Sequence, residues 1–408
     1  MAGIIASDMN NLTLNSHDNA LNASGSATSA AGFSYSKSFF SDLVDSAIAH
    51  AKKLGATDAA AEAAEGAGLS VSVRKGELEN VERNRDKSLS VTVYVGQRRG
   101  NASTSDFSEQ AIKQTVQAAY DIARFTAEDP AAGLPDEADI EHQERDLDLF
   151  HPWQLSSEEA AAIAMRCENA AMATSKLITN SEGAAVSAQQ SHFVGAHTRG
   201  FKGGYSTSRH SISVSPIAGK GREMQRDGWY SSKRSHLDLA APEVIGRYAA
   251  ERALSRLKAR KIPTTQCPVL FEAPLAAGLL GSLVQALSGG ALYRRSSFLL
   301  DSMGQQVMPS HISVFEDPFI ARANGSSAYD NEGVIVRARS VIDEGKVAGY
   351  FLGTYSARKL GLKTTGNAGG SHNLTLLSSQ TKPKDDLPAM LKKLKNGLFV
   401  TDLMGHGV

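Results

Sequence analysis

Two runs in the first hundred residues alternate apolar and polar side chains one by one, and nothing else in the chain limits its fold as strongly. Leu69-Ser-Val-Ser-Val73 and Leu89-Ser-Val-Thr-Val-Tyr-Val95 have the period of strands with one buried face. Lys75-Gly76 and Asn84-Arg85-Asp86 between them are turn material, so residues 69–103 read as an antiparallel meander. A half-buried sheet needs a second layer. Phe39, Phe40, Leu43, Val44, Ala47, Ile48, Ala51 and Leu54 recur at helical spacing, ahead of a Gly55 placed for a C-cap. On the other side, Asp106-Phe-Ser-Glu109 has capping-box spacing and precedes a face of Ile112, Val116, Ala119 and Ala123.

Asp129-Pro130 opens an acidic connector that runs to Pro152, and Ser156-Ser-Glu-Glu159 is a second capping box at the head of an Ala-rich helix. Strand patterns return over 187–198, 203–215 and 223–232. These are rich in Ser, Gly and Thr, as expected of strands that are half solvated or line a cavity. Pro242-Glu243 suits a helical first turn, and the basic stretch 256–263 reads as a linker. Beyond it come a short strand at Val269–Phe271 and a small-residue helix within Leu275–Asp301, expected to be buried through Gly278, Gly281 and Ala286. Strands follow at 312–315, 334–341, 347–354 and 398–403, with a helix near 385–395. The pattern is α/β (α+β): an N-terminal mixed sheet flanked by helices over 36–262, then a strand-rich, barrel-like domain over 263–408.

The balance of 43 Lys+Arg against 43 Asp+Glu leaves no net field to draw in nucleic acid. The two cysteines, Cys167 and Cys267, have no metal-like spacing and suit a reducing, cytoplasmic setting. No apolar run is long enough to span a bilayer, so no membrane partner is expected. Residues 1–35, rich in Asn, Ser and Ala with no basic or apolar block, read as a disordered tail and not as a secretory signal.

A visible catalytic constellation is lacking. None of the 11 histidines precedes a Glu and no two lie four apart, so a helical zinc motif is excluded. His192 and His197 sit five apart in a strand-like pattern with Phe193 where a general base belongs. There is no G-x-S-x-G elbow, and Ser282 reads as a packing residue. Gly366-Asn-Ala-Gly-Gly-Ser371 matches neither nucleotide-binding glycine pattern and reads as a φ-positive loop. The basic run within Thr354–Lys363 suits either a grip on a carboxylate or phosphate, or a solvated turn with salt bridges.

Several longer segments carry a resemblance. They include Asn80-Val-Glu-Arg-Asn84, Gln110–Ala119, Asp146-Leu-Asp-Leu-Phe-His-Pro152, Tyr293–Asp301, Thr354–Gly366 and Ala368-Gly-Gly-Ser-His-Asn373. Together they resemble the TldD/PmbA family of metallopeptidase subunits from about residue 37 onward. The family implies a cytoplasmic complex of two homologous chains that degrades or trims unfolded peptides, as in leader-peptide maturation and antitoxin clearance. One chain, TldD, binds zinc through an H-E-x-x-x-H helix. Set against that helix, this chain has Gly281 at the first His, Ser282 at the Glu and Ala286 at the second His. The resemblance therefore implies no catalytic, metal-binding or cofactor-binding residue here, with zinc in a TldD-like partner. It implies a structural or partner-contacting role for Arg294 and Arg295. Family members continue past Met404-Gly-His-Gly-Val408, which implies an incomplete C-terminal domain with exposed sheet edges. Two other functions stay open: a metallopeptidase with dispersed ligands among His192, His197, His210 and His372, and a regulatory binding protein without proteolytic activity.

Overall fold

The structure is a computed structural model that describes residues 32–403. Most of the expected tail, residues 1–31, and the final residues 404–408 lie outside the described residues. Of the four described tail residues, Phe33 is buried and Tyr35 half-buried, which corrects the expectation for that short stretch. Phe33 is only 4% exposed, and the backbone N–H groups of Ser34 and Tyr35 donate to the Glu65 carboxylate. Order begins ahead of Phe39 because a buried aromatic ring and a buried acceptor pin the chain there. Helix α1 (Lys37–Lys53) follows; Ser36 Oγ accepts from the Phe39 N–H, and Phe40, Val44, Ala47 and Ala51 make its buried face.

Strands β1 (Asp58–Arg74), β2 (Glu77–Val95) and β3 (Arg98–Thr104) form the meander. The β1–β2 turn is Lys75-Gly76, with φ of 56° and 77°, as a two-residue hairpin requires. The carboxylate of Glu168, itself buried, accepts from both turn N–H groups at 2.9 Å. Asn84-Arg85-Asp86 is not a turn: it pairs with Gly66–Gly68 inside β2, and Arg85 donates to Glu65. Helix α2 (Glu109–Phe125) starts at Ser108, whose Oγ accepts from Ala111; Asp106 accepts from the Ser108 N–H instead of capping. Helix α3 (Ser157–Ala173) has the reciprocal Ser156–Glu159 capping box. Strands β4 (Ile178–His197), β5 (Lys202–Gly203), β6 (Ser206–Ala218), β7 (Gln225–Arg226) and β8 (Trp229–Lys233) complete the sheet, and α4 (Pro242–Ser255) follows with Pro242 in its first turn. The sheet order is β3-β2-β1-β4-β6-β7, with β5 on β4 and β8 on β6. The described pairings within this sheet are antiparallel.

Strand parity decides what each face does. Ala59, Ala61 and Ala63 of β1, Leu89, Val91 and Val93 of β2, and Val194 and Ala196 of β4 pack under α1 and α2. Leu69, Val71 and Val73, farther along β1 at the same parity, pack with Val186, Ile212 and Val214 under α3 and α4. All four helices therefore cover one face. The side chains of opposite parity face the other way, toward the C-terminal part.

That part contains β9 (Val269–Phe271), α5 (Ala273–Leu287), α6 (Gly289–Tyr293), β10 (Ile312–Asp317), β11 (Arg339–Asp343) and β12 (Lys346–Val347). After these come α7 (Thr354–Leu360), β13 (Asn373–Ser378), α8 (Leu387–Leu394) and β14 (Leu398–Val400). The antiparallel sheet β12-β11-β10-β13 curls as a half-barrel, and β14 pairs parallel with β9. The strands expected over 334–341 and 347–354 are largely loop. Val334 and Ile335 make only isolated bridges, and the second stretch runs into α7. Arg252 of α4, with a side chain 12% exposed, binds Glu272 at 2.6 Å and ties the two parts together.

Candidate functional site

Helix α5 carries Gly281, Ser282 and Ala286, and it is not buried throughout as expected. Leu283, Ala286 and Leu287 enter the half-barrel core, whereas Gly278, Gly281 and Ser282 are exposed and Leu279 is 48% exposed. A Cβ at Gly278 or Gly281 would meet nothing within 4 Å, so these glycines serve no close helix contact. The apolar content misleads because half of it faces outward. Ser282 Oγ donates back to the Gly278 carbonyl at 3.3 Å. Gly281 and Ala286 have no donor atom and a hydroxyl is a weak base, so these residues do not fit zinc. Arg294 stacks on Tyr293 (5.3 Å to the ring centroid) and, like Arg295, is exposed.

The dispersed histidines do not converge either. His192 Nε2 lies 3.4 Å from Glu65, and its ring packs 4.1 Å from that of Phe33. His210 Nε2 bonds the His151 carbonyl at 2.8 Å, and His372 Nδ1 bonds Glu316 at 3.0 Å. His197 Nδ1 accepts from the Arg199 N–H at 3.2 Å, while its Nε2 is buried near the Glu332 backbone without a formed hydrogen bond. Among the described residues no three His, Cys, Asp or Glu side chains are grouped to hold a metal. The basic residues of α7 are spent on salt bridges: Arg358 binds Asp136 and the Leu134 carbonyl, and Lys359 binds Asp129. Gly366, Gly369 and Gly370 do have positive φ. At Gly366 a Cβ would lie 2.5 Å from the Ile335 carbonyl oxygen, so glycine is required there.

The structure does form a cleft of about 820 Å³ on the helix-free face of the large sheet. Its floor is the parity set left over from the core: Ala60, Glu62 and Ala64 of β1, Ser90, Thr92 and Tyr94 of β2, and Phe193, Gly195 and His197 of β4. Glu62 stands between Ser90 and Gly195 on its neighbouring strands, so small side chains leave a trough around it. Segments 132–135 and 329–332 form the walls. One side is aromatic, with Phe193 edge-on to Tyr205 (centroids 4.8 Å) and Phe201 edge-on to Tyr329 (4.8 Å).

Most acidic groups around this cleft are already engaged. Asp129 accepts from Lys359 and from the Tyr355 hydroxyl, which hold its carboxyl at about 2. Asp330 accepts the N–H groups of Glu332, Val334 and Ala368, and Glu332 accepts that of Thr354. Glu62 has no hydrogen-bond or ion-pair partner among the described residues; it is exposed to the cleft, and partial desolvation by the surrounding walls raises its carboxyl above the ordinary value. Burial likewise lowers the pKa of His197, so the ring is neutral near pH 7; since Nδ1 is an acceptor, the proton sits on Nε2.

Comparison with known proteins places this geometry. Family models described as PmbA/TldA metallopeptidase domain 1, central domain and C-terminal domain match residues 59–123, 150–257 and 264–408. Metalloprotease PmbA of Escherichia coli O157:H7 is 45% identical over 84% of this chain and 75% of its own length. The PmbA homolog of Haemophilus influenzae is 39% identical over the same shares. The chain belongs to the PmbA/TldD metallopeptidase family. The fold agrees: a candidate DNA gyrase modulator from Bacteroides thetaiotaomicron superposes with a TM-score of 0.84 at 24% identity, over 90% of this chain and 82% of that one. TldE from Thermococcus kodakarensis superposes at 0.75 with 18% identity, over 89% and 83%. Gly281 and Ser282 lie on the exposed side of α5 and Ala286 on its buried side, and none of the three supplies a group that binds zinc. Of the cleft residues, the sequence singles out only His192 and His197, and those as metal ligands; Glu62 is not marked by any pattern. The one available signal was the Ser-, Gly- and Thr-rich alternation expected to line a cavity, and β4 does so.

Proposed function

We propose that this chain is the PmbA/TldE-type subunit of a two-chain zinc metallopeptidase, a non-catalytic partner that helps enclose and hold unfolded peptide. A TldD-like chain supplies the zinc and the general base. The complex trims or degrades peptides such as leader segments and antitoxins. The observation that carries this reading is the pairing of a family match across the chain with Gly281, Ser282 and Ala286 at the zinc-motif positions. It is supported by the dispersal of His192, His197, His210 and His372 into separate hydrogen bonds and packing contacts. No helix among the described residues is long and apolar enough to cross a membrane, which accords with a cytoplasmic setting.

The test measures metal content and cleavage of an unfolded peptide for the purified chain, its TldD-like partner and the two together. Zinc and cleavage are expected only where the partner is present. Stoichiometric zinc in the isolated chain, with cleavage lost on replacing one of its histidines, would overturn the proposal.

A further inference from the structure

We propose that the cleft on the helix-free face binds a cationic group of an extended peptide, an alkylammonium or guanidinium that pairs with Glu62 and packs its stem on the Phe193–Tyr329 wall. This rests on the reading of the chain as a peptide-holding subunit and gives that reading a site and a preference.

Three observations converge. First, Glu62 is a carboxylate without a partner in a trough whose neighbouring floor positions are Ser90 and Gly195, and its Oε2 lies in ordinary contact range, 3.9 Å, of where a Cβ on Gly195 would stand, so it rests over that glycine and faces the cleft. Secondly, the adjoining wall is aromatic, with Phe193, Tyr205 and Tyr329 in mutual contact. Aromatic faces beside a carboxylate attract cations and accept methylene stems. Thirdly, two buried polar atoms at the cleft make no well-formed hydrogen bond among the described residues: the Tyr329 hydroxyl, and His197 Nε2, which lies beside the Glu332 backbone on a residue only 7% exposed. Buried donors left unpaired are costly, and the carbonyl groups of a peptide backbone would satisfy them. A bare cation would not, which is why a peptide is favoured over a free amine.

The free guanidinium in the lining does not compete for Glu62. Arg99 lies opposite Tyr94, four residues along β2 from the Ser90 that faces Glu62, roughly 13 Å away at the rise of a strand. That separation suits the recognition of two different points on one chain, with Arg99 toward a peptide carbonyl or carboxylate.

The experiment uses the full chain and an acetylated unfolded peptide, labelled at its C-terminus, with one internal Lys. Its counterparts are the same peptide with norleucine for Lys, and the norleucine peptide with a free amino terminus. Binding is followed by fluorescence anisotropy. The Lys peptide is expected to bind about tenfold or more tightly than its acetylated norleucine counterpart, the scale of one charge-assisted pair. Glu62→Gln is expected to remove the difference, and Arg99→Gln to preserve it. If the free amino terminus restores tight binding, the group recognised is any alkylammonium; if it does not, the site reads a side chain. Equal affinity for the acetylated Lys and norleucine peptides, or discrimination that survives in Glu62→Gln, overturns the inference. Either result leaves the two-chain peptidase reading to stand or fall on its own cleavage assay.

Discussion

Replacing Glu65 with Ala should unpin the start of the described chain without unfolding the sheet. The carboxylate is 1% exposed; it accepts from Ser34 N at 2.9 Å and Tyr35 N at 3.1 Å, from Arg85 Nη1 at 2.7 Å, and lies 3.4 Å from His192 Nε2. Two backbone bonds to a charged acceptor contribute about 1.5–3 kcal/mol each, the half-exposed Arg85 adds under about 1 kcal/mol, and desolvation of the carboxylate offsets part of the total. A net loss of about 3 kcal/mol corresponds to roughly a hundredfold rise in local opening. Phe33, packed against His192 and Phe150, should detach with the segment. Native-state hydrogen exchange at the Ser34 and Tyr35 amides reads this directly, with amides of β1 as an internal reference. Protection factors that fall less than threefold would refute the claim that Glu65 holds this segment.

Other consequences follow from buried contacts. Gly246→Ala would place a Cβ 2.2 Å from the Cys167 carbonyl oxygen and 3.0 Å from Ala170 Cβ, forcing α4 off α3. It should cost on the order of 1–3 kcal/mol, visible as a lowered thermal midpoint. Burial opposes ionisation of Glu316, but His372, through hydrogen bonds, and the Arg339 charge outweigh it, so its carboxyl lies below the ordinary value. A depressed folded pKa gives stability that is present above the unfolded value, about 4.3, and is lost as pH falls through the folded one. The urea midpoint should thus drop in that acid range, and less steeply in Glu316→Gln. Burial pushes the Cys167 thiol up to about 12, while Cys267 is exposed. A thiol reagent should titrate one cysteine in the native chain and two after denaturation.

Where local chemistry suffices, the sequence is a good guide. The Ser156–Glu159 box, Pro242 at the head of α4 and the Lys75-Gly76 turn all form as their residues dictate. It fails where distant pairing decides. Asp58–Gly68 reads as alanine and glutamate with no strand period, yet it is the first half of β1, held between β2 and β4. Asn84-Arg85-Asp86 has turn composition but is extended by those same pairings. The outward face of α5 holds Ala277, Gly278, Leu279 and Gly281 with only Ser282 and Gln285 polar, so its composition reads as buried although that side is uncovered. The cleft was half legible: sparse large residues in the later strands signalled a cavity, but Glu62 gains its meaning only from Ser90 and Gly195, which reach it through the sheet.

The packing of all four helices on one side of the large sheet has an evolutionary corollary. Along β1, β2 and β4 the chain carries two interleaved texts, one letter apart. One text keeps the domain folded and is read by the helices; the other is read by whatever enters the cleft. Substitutions at Glu62, Ser90 or Gly195 can therefore be tried without disturbing Ala61, Val91 or Val194. A single-residue deletion in β1 has no such freedom, because it would exchange the two texts and bring Glu62 beneath the helices.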